Sequence, residues 1–153
     1  MAGVTRAAIA SFVMVLGCAY HEGSFAYPEH AFAGQRTTIG CLDLSVDRRH
    51  DAEGVAVLVY DFGNRCDRAV TVDLAYATVT ARTDAGDQIE LKPFDPHGEI
   101  RPLKLEGHAA GGETIAYQTD AHLAQVCVDL ATIAHVEGQS KIVCASAPAP
   151  VSD

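Results

Sequence analysis

Cysteines and histidines are the residues of this 153-residue chain best suited to chemistry, five of the first and seven of the second. Cys41, Cys66, Cys127 and Cys144 are widely spaced. None belongs to the close Cys-x-x-Cys pair of a zinc ribbon or of a thioredoxin-type redox motif. Four such thiols in an oxidising compartment are expected to form two structural disulfides, for which three connectivities exist. Cys127 and Cys144 flank a hairpin expected around residues 135–139, which favours Cys127–Cys144 and leaves Cys41–Cys66. Cys41–Cys144 with Cys66–Cys127 is the competing arrangement. Each bridge adds about 2–4 kcal/mol, mostly by restricting the unfolded chain.

The histidines lie singly. His21 and His30 fall in an aperiodic N-terminal stretch, His122 and His135 near the last strands. His50, His97 and His108 occupy expected loops and are the weak candidates for metal ligands, should one end of the fold gather them. None sits in an H-x-H or H-E-x-x-H arrangement. Met1 and Met14, the only methionines, both precede Cys18, so a methionine-rich copper site is not expected. No serine occupies a G-x-S-x-G elbow. No glycine loop of the phosphate-cradling type follows a strand and opens a helix. Acid pairs such as Asp84/Asp87 and Asp95/Glu99 fall in turns, where carboxylates cap backbone amides. No catalytic residue and no cofactor is expected.

The fifth cysteine, Cys18, has a different setting. Arg6 is the only charge before an apolar run at residues 7–16, and Gly17-Cys18 ends it. A membrane-spanning helix needs about 20 apolar residues, whereas the apolar core of a cleaved signal needs about 7–15. Polar residues return at His21-Glu22-Gly23-Ser24. Val15-Leu16-Gly17-Cys18 resembles the end of a bacterial lipoprotein signal, in which a small residue precedes a cysteine that is acylated and becomes the mature N-terminus. Val15 stands where leucine is commoner in that family, and Leu16 is bulky for its position. The resemblance implies a signal over residues 1–17, a lipid on Cys18, and a membrane partner through that anchor. Ser24-Phe25-Ala26 offers the alternative, a small-x-small cleavage site giving a secreted, unlipidated protein that starts at Tyr27.

Charge bounds the partners. The chain carries 11 Lys+Arg against 20 Asp+Glu; loss of Arg6 with the signal leaves a balance of −10. The one adjacent basic pair, Arg48-Arg49, lies between Asp47 and Asp51. That is the wrong field for phosphate backbones, so no nucleic-acid partner is expected.

The elements that must position these residues read as strands. Residues 37–46 alternate, with Leu42, Leu44 and Val46 on one face and Asp43 and Ser45 on the other. Residues 55–62 are apolar on both faces, as a central strand would be, and 63–68 form a turn. Val70, Val72 and Leu74 keep one phase while Val79 and Ala81 keep the other. The slip near residues 75–77 predicts a bulge or a strand that changes sheet at a bend. Asp84-Ala85-Gly86-Asp87 closes a hairpin onto residues 88–91. Prolines punctuate 93–105, a crossover loop or a strand-addition surface for a partner. Gly111-Gly112 precedes a strand at 113–118, and further strands fall at 125–130 and 141–144. Residues 121–124 and 131–135 are each long enough for one helical turn.

About seven or eight short strands with turn chemistry between them predict an all-β fold, an antiparallel Greek-key, immunoglobulin-like β-sandwich. A small β-barrel is the alternative. The pattern resembles the broad family of sandwich domains on bacterial envelope proteins. The expected organisation is a signal at 1–17, a tether at 18–36, the sandwich at 37–144 and a disordered tail at 145–153. The expected function is a non-catalytic, disulfide-braced envelope lipoprotein that binds or spaces other envelope components, an envelope protein being one candidate partner, anchored on the periplasmic or outer surface of a bacterial cell. A periplasmic metal-binding protein using loop histidines is the alternative, and a small secreted hydrolase the weaker one.

Overall fold

The computed structural model describes residues 27–49, 54–135 and 140–147. Cys18, His21 and His50 lie outside them. Strand β1 (Thr37–Ile39) turns back at once into β2 (Leu42–Arg48). Ile39 faces Leu42 across a two-residue loop in which Gly40 has φ +59°, a left-handed conformation that costs glycine nothing. The single strand expected over 37–46 is therefore a hairpin. Next, β3 (Val55–Asn64) pairs antiparallel with β2 and runs through Gly63 and Asn64, where a turn was expected.

The chain then changes layer. After β4 (Val70–Val72), a 3-10 turn at Leu74–Tyr76 carries it into β5 (Thr78–Thr83). The phase slip between Leu74 and Val79 is thus a change of sheet and not a bulge. β5 and β6 (Gln88–Leu91) form the hairpin expected around Gly86, whose φ is +94°. Residues 93–94 then lie along the far side of β8 (Ala110–Gln118), after which β7 (Leu103–Leu105) pairs with β4. β8 adds to β3, while β9 (Leu123–Asp129) adds to β5. A short helix, α1 (Leu130–Ala134), occupies the turn expected at 131–135, and β10 (Ile142–Ser146) completes the second sheet. Ala145 and Ser146, expected in the tail, belong to that strand.

Two four-stranded sheets result, β1-β2-β3-β8 and β10-β9-β5-β6, with β4-β7 as a two-stranded ribbon. Crossing from β3 to the second sheet, back to β8 beside β3, and out again to β9 beside β5 gives the Greek-key connectivity of an immunoglobulin-like sandwich. Among the described residues ten strands stand where seven or eight were expected, because residues 37–46 and 70–81 each supply two. One apolar cluster joins the inner faces: Leu44, Leu58 and Phe62 from the first sheet, Val79, Val126 and Val128 from the second, Leu130 and Ile133 from α1. Each such side chain contributes about 1.5–3 kcal/mol by burial. Arg48 reaches across the core and donates Nη1 to Leu123 O at 2.9 Å.

Candidate functional site

The outer face of the first sheet should be wet by its sequence alternation. Asp43, Ser45, Asp61, Gly63 and Gly112 line it, with Ser45 opposite Asp61 and Asp61 opposite Gly112. Yet Asp43 is 0 %, Ser45 1 % and Asp61 6 % exposed. Residues 27–36, expected as the second half of a free tether, lie over this face as a strap. Their fold starts with a turn in which His30 N donates to Tyr27 O at 3.0 Å, with Pro28 at the position whose φ proline fixes. An aromatic cluster stiffens the strap: Phe32 lies 5.6 Å from the Tyr27 ring and 5.5 Å from His30, and the Arg36 guanidinium sits 5.0 Å from Phe32.

Two carboxylates hold the strap down. Asp61 Oδ2 accepts from Ala33 N at 2.6 Å, and Asp61 Oδ1 pairs with His30 Nε2 at 3.0 Å. Asp43 accepts from Thr38 Oγ1 at 2.5 Å and from Tyr27 OH at 3.3 Å. Burial, then the adjacent Asp43 charge, pushes the Tyr27 phenol well above its ordinary pKa. Ser45 Oγ donates to Asp61 Oδ2 at 3.5 Å. The carboxylate thus stands between hydroxyl and imidazole, whereas a nucleophilic serine needs the imidazole next to it. The chemistry of this cluster is that of a latch.

A second feature lies at the open edge of the sandwich. Residues 94–101 stand off from β8 as a loop, leaving a groove of 550 Å³ lined by Leu74, Ile100, Glu99, Arg101 and Glu113. Phe94, half exposed, stands at its mouth. A neighbouring groove between Glu90, Lys92, Gln118 and Asp120 shares Phe94. Asp95 shapes the loop: its carboxylate accepts from Glu99 N at 2.6 Å and Ile100 N at 3.1 Å. The Glu99 amide, more than any other group, holds Asp95 below the ordinary carboxylate range.

The residues singled out by type fall as follows. Cys41–Cys66 ties the β1–β2 turn to the chain leaving β3, with Cα atoms 5.6 Å apart. Cys127–Cys144 links directly opposed residues of β9 and β10, Cα atoms 4.0 Å apart. His97 is exposed in the 94–101 loop. His108, at φ +62°, pairs with Asp67 Oδ1 at 2.7 Å on the surface. His122 is exposed at the start of β9, and His135 caps α1 at φ +51°. Among the described residues, no three His, Cys, Asp or Glu side chains gather as a metal would require. Of the latch residues only His30 stands out by type; Tyr27, Asp43 and Asp61 do not. Their signal in the sequence is Gly63 and Gly112, glycines within strands, which mark a close approach by another segment.

No protein-family model matches the chain, and no curated protein matches it in sequence. Among solved structures it is similar to the yjhA protein from Bacillus subtilis, at 9% identity over 75% of this chain and 97% of that one, TM-score 0.48. It is similar also to a conserved hypothetical protein from Bacillus anthracis, at 12% identity over 63% and 87%, TM-score 0.35. A third likeness is to PapD-like domain 7 of human CEP192, at 12% identity over 80% and 96%, TM-score 0.38. All three overlaps are loose, and the fold assignment rests on the strand order and register given above.

Proposed function

We propose that this chain is an exported, membrane-tethered, immunoglobulin-like module that binds or spaces proteins of a bacterial envelope. The strap carries this reading. Nine Cα steps separate Cys18 from Tyr27. At about 3.3–3.6 Å per residue, a fully extended link reaches about 30–32 Å. With residues 27–36 latched onto the first sheet, a lipid on Cys18 would hold the domain within that distance of the bilayer. The two disulfides suit an oxidising compartment. Among the described residues no helix is long and apolar enough to cross a membrane.

Metabolic labelling with a fatty-acid analogue tests the anchor. Label on the wild-type chain and none on Cys18→Ser supports it. An unlabelled mature protein that starts at Tyr27 would replace it with a secreted module.

A further inference from the structure

The edge of β8 is half occupied. The bonds flanking β8, Asn64 N to Ala109 O and Thr119 N to Gly54 O, with the unbroken register between them, turn the backbone groups of odd-numbered β8 residues towards β3. Even-numbered residues therefore face away from β3. At Ala116 that outer edge is taken, because Phe94 N donates to Ala116 O at 2.8 Å. Thr114 and Gly112 follow on the same edge. Both are exposed, and neither outward-facing backbone has a backbone partner among the described residues. Such an edge is a template for one more strand.

Its surroundings specify the strand. The chain leaves β8 at Phe94 and stands off as the 94–101 loop, so the free edge opens into the groove already described. Phe94 and Ile100 offer apolar contact there. Across the two grooves that share Phe94, five acids, Glu90, Asp95, Glu99, Glu113 and Asp120, face two bases, Lys92 and Arg101. A second copy of this chain is disfavoured at this edge, since it carries a net charge of −9 and the same acidic rim.

We infer that the β8 edge at Gly112 and Thr114 is a strand-addition site for an extended, lysine- or arginine-bearing segment of a partner protein. Backbone pairing supplies the affinity, Phe94 packs an apolar side chain of the segment, and Glu99 and Glu113 receive its cations. This deepens the reading of the chain as a binding module, and it is independent of whether Cys18 is acylated.

The full chain, isotopically labelled and with its disulfides intact, is titrated with a peptide of about ten residues alternating Lys and Val. A matched Glu/Val peptide is the control, and amide spectra and hydrogen exchange are read. Expected are saturable binding of the Lys/Val peptide, shifted Gly112 and Thr114 amides, and about tenfold slower exchange at Thr114. Thr114→Pro, which removes the outward donor, weakens binding by about tenfold. Should Thr114→Pro fail to fold, the Glu99→Lys/Glu113→Lys variant serves, and its preference switches to the Glu/Val peptide. The inference is overturned by no saturable binding, by equal binding of both peptides, by protection confined to another edge, or by self-association through β8 without peptide. Labelling at Cys18 is a separate result, so failure of the anchor and failure of the edge are told apart.

Discussion

The Tyr27 ring lies across Gly63, so closely that a Cβ built on Gly63 would collide with Tyr27 Cζ and Cε2. A strand glycine has left room for an aromatic ring delivered by a segment outside the sheet. Gly63→Ala must therefore expel the ring or displace β3. Overpacking of this kind costs about 1–3 kcal/mol, which lowers the thermal midpoint by several degrees in a domain of this size. In a Tyr27→Ala background the same change should cost almost nothing, since the space is free. Thermal melts of the two single variants and the double variant give the coupling directly. Equal costs of Gly63→Ala in both backgrounds would show that the ring does not occupy that space in solution.

Asp61 should control the strap from the sheet side. Asp61→Ala removes the acceptor of Ala33 N and the partner of His30 together. Hydrogen bonds to a charged group are worth about 1.5–3 kcal/mol. Exchange of the Ala33 amide should rise by at least about tenfold. The β3 and β8 amides, held by the ladder, should change far less. Unchanged exchange at Ala33 would contradict the latch.

The strands were legible where side chains alternate against a core. Leu42, Leu44 and Val46 share a face because a period of two survives whatever the partner strand is. The phase slip between Leu74 and Val79 was visible for the same reason: it changes which positions face inward. The strap was not legible, because residues 27–36 form no regular element and have no period. Their burial rests on single contacts from Tyr27, His30 and Ala33 to carboxylates 16 to 31 residues away. Asp43 and Ser45 obey the alternation of a solvated face, and nothing local distinguishes such a face from one that a loop will cover. Residues 93–105 were legible as a proline-bearing connection and a candidate strand-addition surface, but the groove beside β8 was not, since its acids, Asp95, Glu99 and Glu113, come from two separate parts of the chain.

The disulfides should differ in how readily they are reduced. Cys144 is exposed on the outer face of an edge strand, while Cys41 and Cys66 are both partly covered. Mild reductant under native conditions should open Cys127–Cys144 first, read as alkylation of those two thiols by mass spectrometry. Loss of either bridge by paired Cys→Ala substitution should lower stability by about 3 kcal/mol. The closed loops, with separations of 17 and 25 residues, are too similar for their entropies to separate the bridges. If Cys41 and Cys66 are alkylated first, access from solvent is not what sets the order.

The core contains a pair of phenols, and they give the domain an alkaline limit. Tyr60 and Tyr117 are fully buried, and their hydroxyls meet at 2.6 Å. Burial raises both: Tyr117 is pushed up to about 12 and Tyr60 well above its ordinary value. Unfolded tyrosines titrate near about 10. Between these values the folded state holds protons that the unfolded state has lost. The stabilisation is complete below about pH 10 and declines as pH rises towards about 12. Denaturant midpoints measured from pH 9 to 12 should therefore fall with pH. Tyr60→Phe/Tyr117→Phe removes both hydroxyls without orphaning either, and its midpoint should fall less steeply. Tyr27, also raised, keeps the slope from vanishing. Tyr117→Phe alone should be less stable than wild type by about 1–3 kcal/mol at neutral pH, because the buried Tyr60 OH loses its partner. An identical pH slope for wild type and the double variant would mean that the phenols titrate alike in folded and unfolded chains, and the buried pair would then have no part in the alkaline limit.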